Sequence, residues 1–276
     1  MTYRTIAACL LSFAFVAPVF AGSVFEFATK EFGAAEPIIG TVQMSTSGAN
    51  TRLEIISVTS AEAGGLIYRG DDNEMIILDH FQGSYVKVDQ EQMNAIAGKI
   101  SSAMSQMQAA LDEMPPEKRA LAEQMMQQRF PAQAPDRSPN TINSLGSHGE
   151  IAGIPCRNFE VLRDGHKVRE LCVSAWDDLE GGQETASALR GVANFFEEMR
   201  KAFSGAGGMD VFDRQQELFG HMNELDGYPV LYRDFDASGA MIRETQLTSV
   251  RQKDISPGFF EPPKSYTPQE MPQGMN

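Results

Sequence analysis

Cysteine, histidine and tryptophan are scarce in this chain, at three, four and one residue in 276. There is no Cys-x-x-Cys pair, no Gly-x-Ser-x-Gly elbow and no phosphate-cradling glycine loop, so redox, serine-hydrolase and nucleotide chemistry lack their usual marks. The histidines, His80, His148, His166 and His221, fall in separate segments with no ligand spacing between any two. Ser147 and His148 are neighbours in "GSHGE", but adjacent strand residues point to opposite faces and cannot act as nucleophile and base. No catalytic residue, metal ligand or cofactor is expected, and the chain reads as a non-enzyme. Positive charge is also short, with 23 Lys and Arg against 37 Asp and Glu for a net charge of −14. Such a field repels phosphates and anionic headgroups, which argues against a nucleic-acid partner or a membrane-surface binder.

What is present begins with a leader. Arg4, an apolar run from Ile6 to Val16, Pro18 and then Val19-Phe20-Ala21 have the order of a secretory signal cleaved after Ala21. That run is too short to span a bilayer, so no integral membrane insertion is expected. "IAAC" at Ile6 to Cys9 imitates a lipoprotein box, but such a box closes its apolar run, and here the run follows Cys9. Losing the leader removes one of the 23 basic residues and none of the 37 acidic ones, leaving a charge of −15. About 255 mature residues suffice for one large domain with a substantial core. A periplasmic or secreted protein is expected.

The two remaining cysteines, Cys156 and Cys172, flank a turn in "GIPCRNFEVLRDGHKVRELCVS". A three-residue loop Arg163-Asp164-Gly165 would place Leu162 opposite His166 and Cys156 opposite Cys172, at a Cα separation of ~4.5 to 5.5 Å that a disulfide tolerates. A two-residue Asp-Gly turn would misalign them by one position. Export to an oxidising compartment and an even count favour a structural bridge over a metal clip or a redox pair.

Short β-rich segments occur at Val24–Lys30, Pro37–Thr46, Thr51–Val58, Leu66–Arg69, Glu74–Asp79 and Ser84–Val88. Others follow around Gly149 and at Cys156–Leu162, Lys167–Ser174, Pro229–Phe235 and Ala240–Val250. Turn signals such as "SGAN", "GDDN", "FQGS", "RDGH" and "DASG" separate many of them, the pattern of an antiparallel meander. Two helical insertions interrupt it, near 89–130 and 176–226. The first has Asp89 as N-cap and sets Met93, Ile96, Ala97, Ile100, Met104, Met107, Leu111 and Met114 on one face; it breaks at Pro115-Pro116 and resumes toward Met125 and Met126. The second carries Leu189, Val192, Phe196, Met199 and Phe203 at the same spacing. Stripes of this kind must be buried against a sheet face. The expected fold is α+β: a curved antiparallel sheet, an open and unclosed β-barrel, covered by the two insertions. One β-rich domain would span 22–266, with a flexible tail at 267–276.

The ordered motifs "LDHFQGSYVKVDQEQM", "MPPEKRALAEQMMQQRF", "GEIAGIPCRNFEVLRDGHKVRELCVSAWDDL" and "FFEPPKSY" resemble those of a family of exported bacterial proteins without assigned function. More distantly, the layout is similar to periplasmic lipoprotein carriers of the LolA and LolB type. That resemblance implies a concave face that holds acyl chains, but none of the carriers' residues align position by position.

The methionine-rich stripe fits either a core between helix and sheet or a flexible thioether surface that adapts to acyl chains. On the second reading, Met93, Ile96, Ile100, Met104, Met107, Met125, Phe196 and Met199 line a site for a lipid, an acyl chain or a lipoprotein. The expected function is a periplasmic binding or chaperone-like protein that holds an apolar ligand or lipidated partner between sheet and helices. The alternatives are a filled envelope interaction module without cargo and, third, a hydrolase. "DFDASG" from Asp234 imitates the start of a calcium loop, but its twelfth position is Thr245 where a glutamate is needed, so a hairpin turn is expected. Asp71, Asp72 and Glu74 read as a solvated turn. No feature of the chain specifies an oligomeric state.

Overall fold

The computed structural model describes residues 21–33, 36–57, 64–115, 118–119, 140–202 and 224–270. Residues 1–20 of the leader, Cys9 among them, and Met125, Met126 and Phe203 lie outside the described residues. Two strand sets meet in one sheet. The first is β1 (Ala21–Glu31), β2 (Ile38–Ser47), β3 (Asn50–Ser57), β4 (Gly64–Arg69), β5 (Glu74–Asp79) and β6 (Ser84–Val88). The second is β7 (Thr141–Ile151), β8 (Ile154–Arg163), β9 (His166–Ala175), β10 (Gly227–Phe235), β11 (Met241–Asp254) and β12 (Thr267–Gln269). The spatial order is β12-β6-β5-β4-β3-β2-β1-β11-β10-β9-β8-β7, antiparallel throughout except for β12 on β6, and the sheet does not close into a barrel. With α1 (Gln90–Asp112) and α2 (Gly182–Ala202) the protein is an α+β fold.

The two halves differ in regularity. Ladders β1–β2, β2–β3, β3–β4, β4–β5 and β5–β6 run without a register shift. Ladders β7–β8, β8–β9, β9–β10, β10–β11 and β1–β11 each contain one. A bulge bends its strand and raises the local twist, so the second half coils while the first stays an even ribbon.

The cysteine hairpin shows what one bulge accomplishes. Arg163 pairs with His166, so the turn has two residues rather than three, and Asp164 and Gly165 take φ of 53° and 77°, the left-handed pair such a turn requires. Taken alone, this turn would put the cysteines on opposite faces. A shift between Val161 and Leu162 moves the register by one more residue, leaving Cys172 opposite Asn158. Cys156 and Cys172 are thus diagonal neighbours on one face, not directly opposed, and bond across a Cα separation of 5.3 Å. The bridge marks an oxidising compartment and suits an extracytoplasmic protein.

Both helices leave the sheet from the same end, after Val88 and after Ala175. At that end α2 lies across the strands. Thr185 Oγ1 is 3.0 Å from Thr46 Oγ1 of β2, Gly191 passes over Tyr68 of β4, and Asn73 of the β4–β5 turn donates to Glu198 at 3.2 Å. Its apolar face, Ala186, Leu189, Val192, Phe195, Phe196 and Met199, is buried in the main core with Phe25, Phe27, Met44 and Tyr68. Trp176, the chain's one tryptophan, joins that core with its ring 5.7 Å from Tyr228. A Cβ at Gly191 would stand 2.9 Å from Tyr68 Cε1. Gly191→Val should therefore lift α2 and destabilise the fold by about 1–3 kcal/mol, read as a lower denaturant midpoint from Trp176 emission.

Helix α1 is described at the two ends of its stripe. Asp89 accepts from Gln92 N as the N-cap, Met93 is fully buried in the core, Ile96 and Ala97 are half-buried, and Leu111 is buried. Met114, read as part of the buried face, is 38% exposed. At the far end of α1, Arg119 Nε donates to the carbonyl of Leu111 at 2.9 Å and its Nη2 to that of Asp112 at 2.7 Å, closing off helix carbonyls. The helix runs beside α2, so α2 is the main cover of the sheet.

The opposite sheet face has its own cover, which the sequence reading missed. After β11 the chain "ISPGFFEPPKSY" crosses that face as a strap. Ile255 and Phe260 are buried with Val24, Ile67, Ile76 and Leu78, and Phe259 and Tyr266 pack alongside. The segment predicted as a tail from 267 continues as β12, where Thr267 N donates to Gly83 O at 3.0 Å.

Candidate functional site

Strand alternation assigns each side chain of the ribbon to a face. On the helix-covered face, cross-strand pairs form rows. Nearest the helices, Val88, Met75, Tyr68, Thr51 and Thr46 follow one another, all buried beneath α2. The next row is Val86, Ile77, Leu66, Leu53, Met44 and Phe25. The third includes Ile55, Val42 and Phe27.

Burial changes along these rows. On β1 and β2, Phe25 and Met44 are closed in. Toward β3–β6 the cover thins: Leu53, Leu66 and Val86 are half-buried, Ile55 is 41% exposed and Ile77 45%. These five side chains form an apolar shelf beside the start of α1, where half-buried Ile96 packs against the same core. Gly64, opposite both Ile55 and Asp79, leaves a notch in its outer edge.

The sequence-named residues divide around this shelf. Met93, Phe196 and Met199 are buried in the core, and Ile96 stands at its margin. Ile100, Met104 and Met107 belong to α1, but their side chains lie outside the described residues, as does Met125 altogether. The shelf itself escaped the sequence reading, although alternation in "RLEII", "GGLIYR" and "EMIILD" marks which residues share a face.

The opposite face carries a polar constellation drawn from three distant stretches of chain, 52–54, 80 and 259–266. Tyr266 Oη lies 2.7 Å from His80 Nδ1, and His80 Nε2 lies 2.5 Å from Glu54 Oε2. With the proton on Nε2, His80 donates to the Glu54 carboxylate and accepts from the Tyr266 hydroxyl. Arg52 Nε donates to Glu54 Oε1 at 2.6 Å, while Nη1 of Arg52 donates to Phe259 O at 2.7 Å under a cation–π contact of 5.0 Å to the Phe259 ring. Beside it, Arg69 donates to Glu261 at 2.8 Å and pairs with Asp72 and Glu74; Glu74 is buried and also meets Lys87 at 3.2 Å, so it is not a solvated turn residue.

Hydroxyl, imidazole and carboxylate in line is the order of a proton relay. Here the relay ties the strap, through Tyr266, to His80 of the β5–β6 turn and on to Glu54 of β3. Tyr266→Phe should remove one such bond and leave the His80 acceptor unmet, costing about 1 kcal/mol locally. Amide exchange at Thr267 and Gln269 should then quicken about fivefold, with α2 amides unchanged.

Further along this face, hydrogen bonds from Arg251 and Ser249 hold the Glu26 carboxyl down at about 2. At the β10–β11 turn, Asp236 Oδ1 accepts from Ser238 N, Ser238 Oγ and Ala240 N. The calcium-like segment thus closes its own hairpin.

No family model matches the chain, and no curated protein does. Three solved structures align with the chain at very low identity. An uncharacterized conserved protein from Thermus thermophilus aligns over 90% of each chain at 7% identity, with a TM-score of 0.42. MucB in complex with MucA(peri) aligns over 89% of this chain and 55% of its own at 7% identity and a TM-score of 0.36; the Pseudomonas aeruginosa MucA/MucB complex gives 89%, 56%, 7% and 0.36. The chain thus spans about half the length of those MucB chains. Among the described residues, no helix is long and apolar enough to cross a membrane.

Proposed function

We propose that the protein is an envelope binding protein, not an enzyme, and that the apolar shelf between sheet and helices takes the acyl chain of a lipid or lipidated partner. The observation that carries this reading is the exposure of Ile55 and Ile77 on the helix-covered face, in register with Leu53, Leu66 and Val86. A ligand laid along the rows would bury apolar surface at ~25 cal/mol per Å2, the same gain that closes the core under α2. Asp79 beside the Gly64 notch favours a chain without a free carboxylate near that edge.

The test is a titration with the neutral dye N-phenylnaphthylamine, displaced by lysophosphatidylcholine. Wild-type protein should enhance the dye's emission, and Ile77→Asp should weaken binding about tenfold or more, because it sets a charge on the shelf. Retained Trp176 emission and an unchanged melting profile would show that the variant is folded. Dye binding unaffected by Ile77→Asp would refute the shelf as the ligand site.

A further inference from the structure

The apolar shelf has two unlike ends. Its main row crosses neighbouring strands, and strand pairing carries that row further in both directions. On one side Leu53 is followed by Met44 of β2, which is buried and whose Sδ accepts from Tyr228 Oη at 3.8 Å. On the other side Val86 is followed by Gln269 of β12. Residues paired in register point to one face whether their strands run parallel or antiparallel. The exposed Gln269 therefore stands in line with Val86, Ile77, Leu66 and Leu53.

The row is thus closed at an apolar wall and open at a polar edge. Its outer flank is polar too, where Asp79, Ser84 and Thr267 pair in turn across β5, β6 and β12. On its other flank Val88, Met75 and Tyr68 are buried beneath α2. The path left for an extended apolar chain runs across the strands, from Gln269 to Leu53.

That path has a length. Strands lie about 4.8 Å apart, so the steps from β6 to β3 cover about 14 Å and those from β12 to β3 about 19 Å. Carbons of an extended saturated chain, joined by single bonds of about 1.5 Å at tetrahedral angles, advance about 1.25 Å each, so the row holds about 11–15 of them before Met44 blocks it. At the open end, a glutamine amide donates to an ester carbonyl and accepts from a hydroxyl, which suits an uncharged polar head.

We propose that the shelf is a ruler for neutral monoacyl esters: the ester group sits at Gln269, and a tail of about 11–15 carbons lies over Val86, Ile77, Leu66 and Leu53 and ends against Met44. This deepens the ligand reading and rests on it, adding the direction of the chain, its length and the chemistry of its head.

The experiment displaces N-phenylnaphthylamine from the full mature chain with 1-monoacylglycerols of eight to eighteen carbons, each kept below its micellar concentration. Affinity should rise about two- to fourfold with each added carbon and level off inside the window above, because every further methylene stays in water. Leu53→Phe fills the tail end of the row and should move the levelling-off to chains about four carbons shorter, one strand spacing. Gln269→Leu, on an exposed edge where folding is not at stake, should weaken the esters about three- to tenfold and leave the dye, which has no ester, at its wild-type affinity. Affinity that climbs evenly to eighteen carbons, a break unmoved by Leu53→Phe, or ester affinity unchanged in Gln269→Leu would each overturn the ruler. With dye binding still weakened by Ile77→Asp, the shelf itself would stand. A wild-type protein that fails to bind the dye would instead sink the shelf reading, and the ruler with it.

Discussion

Phe195→Ala should destabilise the protein by about 3–5 kcal/mol, the expected cost of truncating a phenylalanine in a core that cannot collapse around the gap. Phe195 is completely buried, its ring is 5.8 Å from Tyr68 and 6.3 Å from Phe196, and it holds the middle of α2 on β4. Gly191 brings helix and strand close together there, where an added Cβ would stand 2.9 Å from Tyr68 Cε1. For a domain with a total stability of about 5–15 kcal/mol, the loss should appear as a large drop in the denaturant midpoint. Exchange protection should fall first along α2 and row-one residues such as Met75. A change below about 1 kcal/mol would mean that α2 contributes little to the sheet's cover.

Removing the disulfide should have the next largest effect. Cys156→Ser/Cys172→Ser, or reduction of the wild-type bridge, should cost about 3 kcal/mol, because the link closes a short loop across a sequence separation of 16 and restricts the unfolded chain. Both cysteines are buried, and Gly149 of β7 lies against them, where a Cβ would stand 3.1 Å from Cys172 Sγ. The loss should therefore spread through β7, β8 and β9, leaving the regular ribbon β1–β6 closer to its native protection. The test is a pair of unfolding curves with and without dithiothreitol, each compared with the double variant. Coincident curves would show that the coiled half does not depend on its crosslink.

Much of the ribbon was legible in the sequence for local reasons. Glu74–Asp79 and Ser84–Val88 were read with the bounds they have in the structure, because alternating apolar residues are punctuated by "FQGS". The second half was legible as strands but not as a shape. Its curvature comes from bulges at positions such as Thr248, Val230 and Val168, which leave no periodic trace, and one of them corrects the register that the Asp164-Gly165 turn would impose. The strap escaped because Phe259, Phe260 and Tyr266 follow no period and stand among prolines. Its fastening was hidden because Arg52, Glu54, His80 and Tyr266 meet only after folding. Of the residues read from the sequence as a lining, Met93, Phe196 and Met199 enter the helix-covered core. The thinly covered apolar side chains lie on the strand side, on Leu53, Ile55, Leu66, Ile77 and Val86, because α2 crosses the sheet near one end.

The most direct measurement of the central claim is native mass spectrometry of the full-length protein produced with export and purified gently from a bacterial envelope, wild type beside Ile77→Asp. Acyl-chain binding on the shelf predicts a reproducible lipid adduct on the wild-type mass that is strongly reduced in the variant. A bare protein mass for the wild type under those conditions, or an adduct equally abundant on both proteins, would contradict it.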